Sequence, residues 1–192
     1  MRIKWFSLIR ITGLLLVLLY HFFQTIFPGG FFGVDVFFTF SGFLITSLLL
    51  EEFWKARQID LLGFFKRRFY RIVPPVVLMV LVTMPFTFLV RQDYVAGIGG
   101  QIAGVLGFMT NFYEMLTGGS YESQFIPHLF VHNWSLAVEV HYYILWGLAV
   151  WFLSKRSKSS SQLRGMVFLL STGAFIISFF SMFIGSLMAS SH

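Results

Sequence analysis

The chain has 192 residues, of which 57% are hydrophobic and only 11% are charged. About a quarter of the residues of a soluble domain are charged, so this composition excludes an ordinary soluble domain and indicates a membrane protein. There is no cysteine, which excludes disulfides, zinc–thiolate sites and catalytic thiols. The net charge of +6 does not indicate a nucleic acid partner, because membrane proteins concentrate lysine and arginine in cytoplasmic loops.

Five apolar runs of about 17 to 24 residues are long enough to cross a hydrocarbon core about 30 Å thick. The sequence therefore predicts an all-α fold, a polytopic bundle of about five transmembrane helices in a lipid bilayer. The runs cover residues 11–27, 31–50, 72–90, 134–153 and 165–188.

A further apolar segment, residues 94–113, is rich in glycine. If the N-terminus is cytoplasmic and each of the five runs crosses once, every basic residue except Arg91 is cytoplasmic, as the positive-inside rule requires. A crossing by residues 94–113 would move the last basic cluster outside. We therefore expect a re-entrant or interfacial helix there, in a multi-pass protein of the cell membrane with a cytoplasmic N-terminus.

Three ionisable residues, His21, Asp35 and Glu139, lie in the apolar runs near the outer face. A tight turn at Pro28 predicts an antiparallel hairpin of the first two helices, which puts His21 and Asp35 roughly 7–10 Å below the turn. Glu139 follows Trp134 by five residues, so we expect all three at one depth, with Asp35 facing the bundle interior. A charge inside a membrane helix costs roughly 2.5–3.5 kcal/mol, which makes such residues functional candidates.

Two interpretations of these groups remain open. A histidine beside a carboxylate is the usual unit of general-base catalysis, because the carboxylate fixes the tautomer and stabilises imidazolium. Alternatively, backbone donors or Arg10 and His21 satisfy Asp35 and Glu139, and the pairs only tie helices together.

The stretch "FFKRRFYRIVPP" holds a basic cluster that includes Arg67, Arg68 and Arg71. On a helix, residues three and four apart share a face, so these guanidinium groups can act together. Paired guanidinium groups suit a phosphorylated ligand, since each chelates phosphate oxygens in two places. The alternative is an anchor for anionic lipid head groups.

Four stretches in this order resemble the acyltransferase 3 family of integral-membrane O-acyltransferases, and most closely the membrane domain of Gram-positive peptidoglycan O-acetyltransferases. They are "RITGLLLVLLYH", "GGFFGVDVFFTFSGFLI", "RRFYRIVPP" and "WSLAVEVHYY". The resemblance implies transfer of acetyl from cytoplasmic acetyl-CoA to hydroxyls of an extracytoplasmic glycan such as peptidoglycan. It also implies catalytic roles for His21 and Glu139 and an acidic motif position at Asp35, which we include among the catalytic candidates.

The resemblance further assigns the CoA phosphates to Arg68 and Arg71, and it matches Arg10 to the arginine of the family's first helix. We add Arg67 to the CoA-binding candidates because it shares the basic cluster. Arg10 and His21 are eleven residues apart, about 16 Å along a helix, which is of the order of a pantetheine arm. His21 would then be a general base or carry a transient acyl group.

The chain departs from the family in two ways. Val140 and His141 replace the residues that usually follow the motif glutamate, and we expect His141 to pack at an interface. The family's membrane domain also has more spans, so residues 1–192 are expected to be its N-terminal portion, without an extracytoplasmic domain. The expected partners are the bilayer, acetyl-CoA, and a glycan acceptor or a downstream extracytoplasmic transferase domain.

Three other functions compete. Membrane carboxylates and a histidine also suit a proton-coupled transporter or flippase. His128 and His132 of "HLFVH" are four residues apart, a spacing that can hold zinc on a helix, although no glutamate follows the first histidine and we expect no metal. A non-catalytic fragment is the third possibility. We expect Ser41 to serve helix packing, because no nucleophile-elbow motif surrounds it.

Overall fold

The computed structural model describes residues 4–23, 25–89, 95–117 and 128–190. These residues form helices and connections without a β-strand, so the predicted all-α fold is confirmed. The α-helices are α1 (Lys4–Phe22), α2 (Phe32–Ala56), α3 (Leu61–Thr83), α4 (Ile98–Leu106), α5 (Thr110–Thr117), α6 (Trp134–Arg156) and α7 (Ser160–Ser190).

Four of the described helices, α2, α3, α6 and α7, are long and apolar enough to cross a membrane, and α1 holds a shorter apolar segment, Ile11–Phe22. The α2–α3 and α6–α7 connections lie at the same end of the bundle, where the Arg57 side chain donates to Ser160 Oγ at 3.3 Å. We call this the basic end. The opposite end is called the histidine end and carries His21, His128 and His132.

The larger of two packed clusters lies toward the basic end, where α2, α3, α6 and α7 meet, and the other joins α3 to α4 and to the segment before α6. Ile45, Leu49 and Val150 have no exposed surface. Phe64 of α3 packs directly on Gly147 of α6, where a Cβ atom would lie 3.0 Å from the ring. Such close approach stabilises helix pairs in a bilayer, because dispersion contacts replace the hydrophobic driving force that lipid removes.

Helices α1 and α2 form the predicted antiparallel hairpin, and glycines allow their close contact. A Cβ atom at Gly33 would lie 2.5 Å from the carbonyl oxygen of Gly13. The predicted depth of His21 is wrong, because α1 ends at Phe22 and does not continue to Pro28. A Cβ atom at Gly30 would lie 2.7 Å from the Cβ of Tyr20, so the neighbouring His21 is level with the turn.

The segment predicted as a re-entrant or interfacial helix does not cross the bundle. It contains two short helices, α4 and α5, that reverse direction at residues 107–109, where Phe108 has a φ of 53°. Tyr113 of α5 folds back on α4 and donates from its hydroxyl to the Gly97 carbonyl at 3.4 Å. Residues 90–94 lie outside the described residues, so the start of the predicted segment does too.

Helix α3 begins before the basic cluster and carries it into the bundle. The Asp60 carboxylate caps the helix by accepting a hydrogen bond from the Gly63 N–H at 2.9 Å. Arg68 and Arg71 therefore lie inside a membrane-length helix, about 10 Å and 15 Å from its first residue. The depth of Arg68 and Arg71 in α3 determines which side chains these arginines contact.

Candidate active site

A small cavity in the bundle brings the α3 arginines to the α6 carboxylate. Arg68, Arg71, Glu139 and Tyr143 line it, and its volume is about 190 Å³. Glu139 is only 5% exposed. Because the Glu139 carboxylate is buried beside two cations, its interaction with them is stronger than it would be in water.

Helix α6 positions Glu139 through a residue one turn further along. The hydroxyl of Tyr143 donates a hydrogen bond to Glu139 Oε1, and the two residues are four apart, so they share a helix face. Tyr143 is 6% exposed and belongs to the packed core. The carboxylate is thus held by a side chain that cannot easily move.

A larger cavity of about 780 Å³ lies on the other side of Glu139, between α2, α6 and α7. Ser41 and Gly42 line its α2 wall. A Cβ atom at Gly42 would lie 3.3 Å from the Tyr142 hydroxyl, which is the close helix contact predicted for this dipeptide. Glu139 is the ionisable residue that lines both the large cavity and the small cavity.

Arg67 faces a different partner from its two neighbours. Its guanidinium donates to Glu52 Oε2 at 3.0 Å, an ion pair that joins α3 to α2 near the basic end. Arg68 instead lies over the ring of Phe64, 5.8 Å from its centroid, and reaches the small cavity. The predicted role of Arg67 in CoA binding stays a prediction. The side chain of Arg10 lies outside the described residues.

His21 is exposed at the histidine end. Its Nδ1 lies 2.8 Å from the carbonyl oxygen of Val17, and since a carbonyl only accepts, Nδ1 must carry the hydrogen. In the neutral ring, Nε2 therefore carries the lone pair that a base or nucleophile requires. Its ring also meets the ring of His132, with centroids 4.9 Å apart.

The expected meeting of His21, Asp35 and Glu139 at one depth is wrong. Asp35 is exposed on α2 and does not face the packed interior of the described bundle. Its neighbour Val36 lies opposite Gly13, which puts Asp35 about 10 Å deeper than His21. Glu139 shares the small cavity with Phe37 and with the arginines. The error arises because α1 ends before the turn and does not continue to Pro28.

A histidine–carboxylate pair that the sequence did not reveal lies at the histidine end. His128 Nδ1 is 2.7 Å from Glu114 Oε2, and their side chains are 13% and 8% exposed. His128 and His132 thus have separate partners, and no group of three metal-ligating side chains occurs among residues 4–23, 25–89, 95–117 and 128–190. The ring of His141 lies 5.6 Å from that of Phe112, which confirms its predicted place at an interface.

Two sequence signals could have revealed more of this site. Asp60 followed by Gly63 and an apolar run is a helix-start pattern that places the start of α3 about three turns before the predicted run that begins at residue 72. Tyr143, four residues after Glu139, is on the same helix face. By contrast, no local pattern predicts the contact between Glu114 and His128, because the two residues lie on different segments.

The fold and the site define a class, that of helical membrane proteins with a cavity lined by arginines and a buried carboxylate. The chain belongs to the acyltransferase 3 family, whose model, described as an acyltransferase domain, matches residues 3–190. Its helices and this membership make it a multi-pass membrane protein.

Two Staphylococcus aureus proteins are among its relatives. O-acetyltransferase OatA of strain NCTC 8325 / PS 47 is 33% identical over 171 residues, which are 88% of this chain and 28% of OatA. SACOL0978 of strain COL is 35% identical over 136 residues, 71% of this chain and 22% of that protein. The chain thus spans well under two thirds of the length of either relative. No solved structure matches the chain.

Proposed function

We propose that this chain is the donor-binding part of a membrane O-acetyltransferase, which moves acetyl from acetyl-CoA to hydroxyls of an extracytoplasmic glycan such as peptidoglycan. The observation that carries the proposal is the cavity shared by Arg68, Arg71 and Glu139. Family membership supports acyl transfer, and the similarity to OatA supports acetyl and an oxygen acceptor.

The two arginines suit the phosphates of CoA. Each guanidinium offers a planar fork of donors that matches phosphate oxygens, and the pair lies on one face of α3. Arg68 is partly buried and Arg71 is exposed, so the guanidinium of Arg71 remains accessible to a phosphate. Glu139 balances their charge when no donor is bound.

The distances suit a donor that extends along the bundle. Arg71 lies about 15 Å from the basic end, whereas the 25-residue α2 spans about 37 Å. The remaining length to His21 is about 20 Å, which is of the order of an extended pantetheine arm. A thioester held at its phosphates by α3 would therefore approach Nε2 of His21, as general base or as nucleophile.

We also propose the orientation that the charges favour, with the N-terminus and the basic end in the cytoplasm. The donor then enters from the cytoplasm, and His21 lies at the outer face. There it would serve the glycan acceptor directly or pass acetyl to a downstream extracytoplasmic transferase domain.

The test is thiol release from acetyl-CoA by the chain in nanodiscs. We expect the wild type to release thiol, His21→Ala to lose release, and Arg68→Ala with Arg71→Ala to weaken saturation by the donor. Arg164→Ala is the matched control, because it removes one cation at the basic end, beside the separate pocket formed with Trp54 and Ser160. Thiol release equal in all four proteins would contradict the proposal, and transport of substrate without thioester cleavage would favour a carrier.

A further inference from the structure

A mechanism with a single catalytic histidine does not account for the contact between the rings of His21 and His132. The two rings meet edge to face, with centroids 4.9 Å apart and planes at 78°. His21 comes from the end of α1, whereas His132 lies in the 3₁₀ turn Val131–Asn133 that precedes α6. Two imidazoles from distant segments are thus brought together at the proposed outer face.

Several contacts fix the segment that carries His132. The backbone N–H of Phe130 donates to the side-chain oxygen of Gln101 at 3.3 Å, and Gln101 is 1% exposed. Two residues earlier, His128 is held by Glu114. The α4–α5 hairpin therefore supports this turn from one side, and its Glu114 carboxylate is engaged by His128. His132 itself remains exposed.

A lone histidine has a difficulty in a two-step transfer. Once its Nε2 carries an acetyl group, it has no lone pair with which to accept the proton of the incoming hydroxyl. A second base close to the first ring removes this difficulty. We propose, on the basis of the proposed function, that His21 carries the acetyl group and that His132 is the base that activates the acceptor hydroxyl.

The steps balance as follows. Nε2 of His21 bonds to the acetyl carbon, the carbon–sulfur bond breaks, and the CoA thiolate leaves and takes a proton from water. The acceptor oxygen then bonds to the acetyl carbon and its proton passes to His132. The bond from that carbon to Nε2 breaks, its electron pair returns to His21, and His132 gives its proton to water.

Two features prepare the pair for these roles. While Nδ1 of His21 donates to Val17, the acetylated ring is a cationic acyl-imidazolium, which is the more reactive form. His132 lies just before the N-terminus of α6, where the helix dipole disfavours a cation, and beside a second imidazole. Both neighbours favour the neutral ring that a base requires.

The test uses 4-nitrophenyl acetate, which acetylates imidazole without a CoA site. The chain in nanodiscs is treated with the ester, acetyl on the His21 peptide is followed by mass spectrometry, and glycerol is added as acceptor. In the wild type the acetyl group should appear and decay. In His132→Gln it should appear equally fast and decay roughly a hundredfold more slowly. His141→Gln is the matched control and should decay as the wild type does.

A second variant separates chemistry from folding. In His132→Ala, added imidazole should restore the decay more than it accelerates the wild type, which a purely structural role would not produce. Decay at the wild-type rate in His132→Gln, or wild-type acetyl that never appears on His21, would overturn the proposal. These outcomes do not depend on acetyl-CoA, so failure of the proposed donor site, seen as absent thiol release, is distinguished from failure of the imidazole pair.

Discussion

At the basic end, Ile45, Leu49 and Val150 are fully buried, and the arginines and Glu139 are set in helices that this core fixes. At the histidine end, Phe22 is 76% exposed, and His21 contacts the Val17 carbonyl oxygen and the ring of His132. The proposed donor part of the site is thus preorganised by packing, whereas the proposed acyl-accepting part lies at an exposed helix end. Mutations at the basic end and at the histidine end should therefore have separable effects.

The largest expected effect is on the core of the basic end. Phe64→Ala removes a ring that is 2% exposed and packs on Gly147, so we expect it to destabilise the bundle by about 3–5 kcal/mol. Denaturation by SDS titration measures this change. Phe69→Ala is the matched control, because Phe69 is 57% exposed on the same helix, and a similar loss there would contradict the described core.

The second-largest effect is expected when the buried carboxylate of Glu139 is removed. We expect Glu139→Ala to lower kcat/KM for thiol release roughly a hundredfold, or about 2.7 kcal/mol, since the carboxylate orders Tyr143 beside the arginines. Tyr143→Phe removes one hydroxyl and should have a smaller effect of the same kind. The exposed Glu51→Gln serves as control, and an equal loss in it would contradict a specific role for Glu139.

The contact between α1 and α2 offers a test of the histidine end. Gly33→Leu places a side chain against the Gly13 carbonyl, so the helices must separate, at a cost of about 1–3 kcal/mol. His21 should then react more slowly with 4-nitrophenyl acetate while donor binding is kept. Gly29→Leu is the control, because a Cβ atom at Gly29 has no neighbour within 4 Å. Equal effects of both changes would show that the glycine contact does not position His21.

The smallest effect is expected at the support of the His132 turn. Glu114→Gln keeps the shape but weakens the hydrogen bond to His128, so we expect a loss of about 1–2 kcal/mol in stability. Amide hydrogen exchange should rise in residues 128–133 and stay unchanged in α2 and α3. Unchanged exchange in residues 128–133 would mean that Gln101 alone anchors the turn.

The sequence predicted the helices better than it predicted the contacts between them. Apolar run lengths and glycine turns predicted the long helices, the first hairpin and a non-spanning segment before Trp134, because bilayer thickness and backbone hydrogen bonding restrict the choices strongly. The depth of single residues was predicted less well. A shift of a helix boundary by a few residues moves a side chain by several ångströms, as at Phe22 and Leu61.

Contacts between distant segments were not predictable from a single sequence. The Glu114–His128 pair joins α5 to the turn before α6, and His21 meets His132 from more than a hundred residues away. His128 and His132 of "HLFVH" share a face only if the segment is helical, so no partner could be predicted for either residue. Tertiary packing decides such contacts, and neither spacing nor hydropathy records it.

The most direct test of the central claim, that the α3 arginines and Glu139 form one donor site, is a double-mutant cycle on acetyl-CoA binding. Arg71→Ala, Glu139→Ala and the double variant are compared with the wild type in nanodiscs by calorimetry. Because the two side chains line one cavity of about 190 Å³, the combined effect should differ from the sum of the single effects by about 1 kcal/mol or more. Additivity within about 0.5 kcal/mol, or no saturable binding by the wild type, would contradict the account.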